Sequence, residues 1–212
     1  MKMKKLSEIR EEYALRSLES KDLAKLPMDQ FEKWMEEALN AEVKEPTAFH
    51  LSSLGLDGYP DLRVVLLKEI RPDGIVFFTN YQSKKGKSFE QLPRAAANFF
   101  WIELQRQVRL VGDIEKISAE DSDAYFHSRP LASQIGAIAS KQSEEIESRQ
   151  LLEKNYQKVA SAGKIKRPEH WGGYLLKPKR VEFWQGRKSR LHDRFEYALN
   201  SEGGFTLKRL QP

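Results

Sequence analysis

The residues best equipped for chemistry gather near the C-terminal end, in Val181–Arg194, read as VEFWQGRKSRLHDR. Arg190, Arg194, His192, Asp193 and Trp184 crowd around Gln185-Gly186. Arginine carries a flat, permanently charged fork that pairs with oxyanions and stacks on rings. Histidine titrates near neutral pH without help from its surroundings. Together these groups suit a planar or phosphorylated anion. Two short apolar runs flank the polar centre, which predicts a hairpin. Composition alone fits a solvated basic hairpin end equally, so the rest of the chain must decide.

A second cluster is Asn80–Lys87, NYQSKKGK. It predicts a polar basic loop opening a short helix through Phe89 and Leu92, with Ser83 as its cap. A helix N-terminus offers free N–H groups and partial positive charge, and Lys84, Lys85 and Lys87 add to it. Lysine runs are most often solvated surface, so the segment gains meaning only from company.

The 212 residues carry 36 Lys+Arg against 31 Asp+Glu, a net charge of +5. Such a balance attracts anions. Acidic residues are interspersed throughout, so small phosphorylated ligands explain the charge at least as well as nucleic acid. There is no cysteine, which excludes disulfides, thiolate metal sites and a cysteine nucleophile. His50, His127, His170 and His192 lack metal-ligand spacing, so no metal is expected. MKMKKLSEIREEY contains neither a signal nor a membrane-spanning run. A cytoplasmic protein without membrane association is the expectation.

The elements that must position these residues follow from periodicity. Residues 1–26 read as an arm, partly helical and partly mobile, with Arg10 and Tyr13 at i, i+3. Residues 27–212 read as a single domain. Its first helix starts at Asp29, capped by that residue with Glu32 three positions on, and has Phe31, Trp34, Met35, Ala38 and Leu39 at helical spacing. Strands are expected at Ala48–Leu54, Leu62–Ile70 and Ile75–Thr79, joined by tight turns and antiparallel. Ala96–Leu104 and Gln107–Ile117 follow. A helical insert at 118–163 contains a helix capped by Ser118, a second at Leu131–Ser140 and a third at roughly Ser148–Ala162. Gly172–Leu176 and Val181–Trp184 predict a hairpin around Lys177-Pro178, and Leu191–Leu199 and Phe205–Leu210 another. About eight strands, mostly hairpin-linked, make an antiparallel meander that tends to close into a barrel.

In order along the chain, RVVLLK (63–68), FFTN (77–80), SKKGK (83–87), RQVRLVG (106–112), YFHSRPLASQIGA (125–137), SKQS (140–143), WGGY (171–174), FWQGRKSRLHDR (183–194) and the closing RLQP resemble the pyridoxine (pyridoxamine) 5′-phosphate oxidase family. The resemblance implies a mainly β, α+β fold, an antiparallel split β-barrel of the FMN-binding type. It implies oxidation of pyridoxine 5′-phosphate and pyridoxamine 5′-phosphate to pyridoxal 5′-phosphate. FMN takes the hydride and dioxygen reoxidises it to give hydrogen peroxide, in a homodimer with FMN at the subunit interface. The alternatives are a non-catalytic FMN or pyridoxal phosphate binding protein and a split-barrel flavin enzyme with another substrate.

Carried over residue by residue, Arg63, Val64, Val65, Leu66, Leu67, Lys68, Phe78, Thr79, Lys84 and Lys85 resemble the FMN strand and loop, Arg63 and Lys85 facing its phosphate. Gln107, Gln142, Ser143, Trp184 and Arg194 resemble the other flavin contacts. Lys68, Tyr125, Arg129 and Ser133 resemble the pocket for the substrate phosphate. The last three are spaced by four and could line one face across the Pro130 junction. Arg190 and His192 resemble the catalytic pair against the substrate ring, and Arg10 and Tyr13 the N-terminal segment that covers it. Lys84 stands where arginine is common, keeping charge but losing the fork. Glu45 and Asp193 receive no role, and RLQP replaces the more usual RLAP.

Overall fold

The computed structural model describes Lys5, Ser7 and residues 11–163 and 165–212. The arm position Arg10 lies outside the described residues. The chain forms two compact units. One comprises Met1–Pro46, Asn98–Leu110 and Lys179–Pro212; the other comprises Thr47–Ala97 and Val111–Pro178.

Nine strands are found among the described residues: β1 (Ala48–Leu54), β2 (Pro60–Leu66), β3 (Glu69–Arg71), β4 (Gly74–Asn80), β5 (Arg94–Trp101), β6 (Arg106–Lys116), β7 (Trp171–Gln185), β8 (Asp193–Leu199) and β9 (Phe205–Leu210). Their order in the sheet is β2-β1-β5-β6-β7-β4-β3, with β8 on β7 and β9 on β8. The registered pairs β1/β2, β3/β4, β4/β7, β7/β8 and β8/β9 are all antiparallel. Five helices accompany them: α1 (Pro27–Asn40), α2 (Lys84–Gln91), α3 (Ala119–Ser128), α4 (Leu131–Ala139) and α5 (Arg149–Ala160).

In the first unit, α1 buries Phe31, Trp34, Met35 and Ala38. Phe31 meets Phe99 at 4.9 Å, and Trp34 meets Phe183 edge-on at 5.2 Å. The Arg106 guanidinium lies 4.2 Å over Trp34 and is held by Glu37. Removing either large ring would cost about 3–5 kcal/mol, the usual price of an aromatic-to-alanine cavity. In the second unit Phe49, Phe77, Phe89 and Tyr174 form an aromatic core, with centroids 5.3–6.0 Å apart from Phe49 to Phe77, Phe77 to Tyr174 and Phe89 to Tyr174.

Several sequence expectations are corrected. The apolar run predicted as one strand over Leu62–Ile70 is two: the Leu67 N–H bonds to Thr47 beside β1, while the Lys68 N–H bonds to Val76 of β4. The chain changes partner inside RVVLLK, and an unbroken apolar run carries no mark of that. The hairpin expected at Lys177-Pro178 is absent, because β7 runs straight through. Its ladder with β4 ends at Leu176 and that with β8 begins at Arg180, so a proline between them forfeits no bond to either partner. The strand expected over Ala96–Leu104 ends at Trp101 in a 3₁₀ turn, closed by Gln105 in the left-handed region. Leu191 precedes its strand, after a 3₁₀ turn at Lys188–Arg190. The first helix starts at Pro27 with Leu26 at its N-cap, so Asp29 lies in the first turn without capping it. Residues 11–19 hold no helix, so Tyr13 is not on a helix face.

Candidate active site

The second unit contains a cleft of about 920 Å³. It is lined by Arg63, Val64, Val65, Leu66 and Lys68 of β2 and its exit, Phe78 and Thr79 of β4, and Lys84 and Lys85 of α2. Tyr125, Arg129, Ser133, Gln142 and Ser143 complete the predicted set found there. Leu67, just past the end of β2, is buried and absent from the lining, unlike the five other residues of RVVLLK.

Lys85 is the most unusual of these groups. Its side chain is placed by the first turn of α2, where Ser83 accepts the Gly86 N–H as N-cap. A Cβ on Gly86 would fall 2.0 Å from the Tyr81 carbonyl oxygen, so only glycine lets the turn close on the preceding chain. Lys85 is 7% exposed. Its Nζ donates to Thr79 Oγ1 (2.9 Å), Ser83 Oγ (3.2 Å) and Gln142 Oε1 (2.9 Å), all neutral acceptors. Burial, and then the neighbouring Arg63, pull its pKa down to about 8. Arg63 donates to Leu51 O (3.0 Å) and Ser53 Oγ (2.9 Å). Burial lowers its pKa and Asp61 opposes this. Asp61 lies 3.1 Å from Lys84 Nζ and 3.5 Å from Arg63 Nη2, balancing both cations. It was not singled out in the sequence, although its i, i+2 relation to Arg63 on β2 places the two on one face.

Across the cleft lining, Arg129 forms the C-cap of α3 and its fork is only half used. Nη2 donates to Ser133 O at 3.0 Å, while Nη1 is buried with no hydrogen-bond partner among the described residues. The guanidinium rests 4.5 Å over the Trp171 ring. Trp171 stacks on Phe78 (5.5 Å, 16°), and Phe78 stacks on Tyr125 (3.8 Å, 20°). Trp171 thus supports both polar groups, a part that its place in WGGY did not reveal. Tyr125 is pushed up in pKa by burial, against Arg129, and stays a neutral hydroxyl donor at neutral pH. Lys68 and Ser133 are exposed members of the same lining. Tyr125, Arg129 and Ser133 do share one surface, as their spacing suggested.

This donor set fits phosphate monoesters. A buried lysine held only by neutral oxygens and an orphaned buried guanidinium nitrogen are each costly until an anion arrives. The cleft size suits a cofactor with a small substrate.

The other predicted residues belong to the first unit. Trp184 lies 4.6 Å from His192, and Tyr13 packs edge-on against Trp184 at 5.9 Å. A Cβ on Gly186 would fall 2.9 Å from Tyr13, so that glycine admits the ring. His192 Nδ1 accepts the Arg187 N–H at 3.1 Å, which leaves the ring proton on Nε2. Burial, Arg190 and Arg194 hold its pKa below the usual histidine value, against Asp193. Arg194 is clamped by Glu182 through two bonds of 2.9 and 3.1 Å, and by Gln211 O at 2.8 Å. Glu182 also pairs with Arg109. Burial raises the Glu182 pKa, yet the two arginines prevail and hold it lowered. Arg190 is exposed with φ 62°, next to Ser189 at φ 55°. Gln107 is half-buried on β6.

Comparison with known proteins follows the same lines. Residues 35–162 match the family model described as pyridoxamine 5′-phosphate oxidase. Residues 171–212 match the pyridoxine 5′-phosphate oxidase C-terminal dimerisation region. A pyridoxine/pyridoxamine 5′-phosphate oxidase from Herminiimonas arsenicoxydans is 49% identical over 209 residues, covering 98% of this chain and 99% of that protein. One from Actinobacillus pleuropneumoniae serotype 5b is 51% identical with the same coverage. Among solved structures, PhzG from Burkholderia lata 383, in complex with tetrahydrophenazine-1-carboxylic acid, is 27% identical with TM-score 0.88 over 94% of this chain and all of that one. An FMN-binding protein from Nostoc punctiforme, 18% identical with TM-score 0.69 over 86% of this chain and 97% of that one, shares the fold.

Proposed function

The chain belongs to the pyridoxamine 5′-phosphate oxidase family, and from that premise we propose how its residues divide the work of oxidising pyridoxine 5′-phosphate and pyridoxamine 5′-phosphate. The fold is the antiparallel FMN-binding split barrel, the cofactor is FMN, and the protein acts as a homodimer. When bound, FMN supplies the two-electron chemistry that converts either substrate to pyridoxal 5′-phosphate and reduces dioxygen to hydrogen peroxide.

Lys85, Arg63 and Lys84 hold the FMN phosphate, with Thr79, Gln142 and Ser143 beside it. Lys68, Tyr125, Arg129 and Ser133 hold the substrate phosphate. Anchoring both partners by their phosphates removes much of the entropic cost of their encounter. Gln107, Trp184 and Arg194 are assigned to the flavin. Arg190 orients the substrate ring, and His192 offers its Nε2–H as a donor toward it. Tyr13, with Arg10, covers the substrate. A cytoplasmic location is part of the same reading. None of the described helices is long and apolar enough to cross a membrane.

One observation carries this reading. A single cleft contains both a buried lysine held by neutral oxygens and a half-used guanidinium with one buried, unpartnered nitrogen, two anion-holding points of separate design. The test is a visible spectrum of the purified protein, followed by a peroxide assay with each substrate. A flavin spectrum and peroxide from both phosphates are expected. A colourless protein that fails to take up added FMN would overturn the cofactor assignment, and a flavoprotein inert toward both would overturn the substrates.

A further inference from the structure

Asp193 sits next to His192 and has no part in the division of labour above. It is half-buried and accepts from two directions. Its Oδ2 receives the Leu18 N–H at 3.0 Å and Arg187 Nη1 at 3.1 Å. Its Oδ1 lies 3.7 Å from Arg209 Nη2, and Arg209 also donates to Leu18 O at 3.2 Å and to Glu19 at 2.9 Å. Both backbone polar groups of Leu18 are thereby held, and its side chain is buried.

The significance lies in what each partner carries. Residues 11–19 have no helix or strand of their own, so side chains must fix their path. Five residues before Leu18, Tyr13 rests on Trp184, His192 and Gly186. On the other side, Arg187 donates its backbone N–H to His192 Nδ1. Leu15 N–H to Gln105 Oε1 (3.1 Å) and Arg16 to Glu37 (3.1 Å) attach the arm elsewhere, but neither partner belongs to the turn that carries Arg190 and His192.

We propose that Asp193 is a positioning residue for the oxidation: one carboxylate that fixes the N-terminal arm over the Trp184–His192 surface and braces the 187–192 turn at the same time. The inference rests on the assignment of Tyr13, Arg190 and His192 to the substrate. Removal of Asp193 loosens the cover and the turn together, which weakens substrate binding more than it slows the bound complex.

The test uses the FMN-loaded full chain, with residue-resolved amide hydrogen exchange and steady-state kinetics on pyridoxamine 5′-phosphate. Asp193→Ala should speed Leu18 amide exchange about tenfold or more and raise KM about tenfold, the scale of a lost charge-assisted hydrogen bond, with kcat changed by no more than about threefold. Asp193→Asn keeps a carbonyl acceptor for Leu18 N–H while discarding charge, and should return Leu18 exchange and KM to within about threefold of wild type. Unchanged Leu18 exchange in Asp193→Ala, or a collapsed kcat at constant KM, overturns the proposal. If Asp193→Ala does not fold, Asp193→Leu, of similar shape but without an acceptor for the Leu18 N–H, decides alone. Its KM and Leu18 exchange must then move together, and a shift in one without the other overturns the proposal. A wild-type protein inert toward both phosphates would defeat the functional reading, whereas the exchange data would still show whether Asp193 holds the arm.

Discussion

The cleft of the second unit and the 184–194 turn of the first treat charge in opposite ways. In the cleft, Lys85 is buried among neutral oxygens and half of the Arg129 fork has no partner. In the turn, Arg194 is fully engaged by Glu182 and Gln211, and Arg187 by Asp193. Arg190 is different, exposed on a backbone whose two successive residues, Ser189 and Arg190, occupy the left-handed region. Each such residue costs about 1 kcal/mol when it is not glycine. The cleft stores its unspent interaction energy in side chains on strands and helices, and the turn stores it in the backbone that presents Arg190. The first arrangement suits holding a phosphate, which is the same before and during reaction. The second suits a group that must meet the reacting ring at a set angle.

The largest expected effect breaks the turn and spares the cleft. Arg190→Ala should lower kcat/KM for pyridoxine 5′-phosphate about 100-fold, the scale of a mispositioned reactant, while FMN content stays at the wild-type level. Rates within a few-fold of wild type would mean that the turn does not orient the substrate. Loss of FMN together with activity would mean that the two regions do not divide the work.

Arg129→Ala is the matching attack on the cleft. A phosphate held alike in the ground and transition states contributes to binding alone. Loss of one charged donor should raise KM about 10- to 100-fold, with kcat within about threefold of wild type. A collapsed kcat with KM unchanged would contradict it. Trp171 supplies a milder version: Trp171→Phe keeps a ring under the guanidinium but a weaker one, and a KM rise of a few-fold is expected.

How far these regions were legible in the sequence also differs. SKKGK was legible as a capped, basic helix start because caps are local rules, whereas Tyr125, Arg129 and Ser133 came from the family resemblance, with which their spacing agrees although Pro130 divides them between α3 and α4. The split of RVVLLK between two partners and the straight passage of β7 through Pro178 were not legible. Both depend on which strand lies alongside, a non-local fact that periodicity does not encode. The supporting residues were equally hidden. Asp61, Trp171 and Glu182 are ordinary residues on ordinary strands until their neighbours are known. Glu182 in particular became visible only as a buried carboxylate between Arg109 and Arg194.

The smallest expected effect sharpens the comparison by pH. Lys85 has a pKa of about 8 in the folded chain, pulled down by burial and then by Arg63. A phosphate monoester has its second pKa at about 6, so FMN stays a dianion above neutrality. A bound dianion favours the charged lysine and raises its pKa in the complex. FMN affinity should therefore be constant from pH 7 to about 8 and then fall, approaching tenfold per pH unit, as the free site loses its proton. Folding of the FMN-free protein should follow the opposite sign. Between about 8 and the ordinary lysine value near 10.5, the unfolded chain holds a proton that the folded chain has released, so this group's contribution to stability grows as pH rises. Titrating apoprotein with FMN by fluorescence quenching, alongside its denaturant midpoint, reads both slopes. Lys85→Met should remove both and leave the turn of the first unit untouched. Equal slopes in wild type and Lys85→Met would place the titration on some other group and take from the cleft its buried, anion-awaiting lysine.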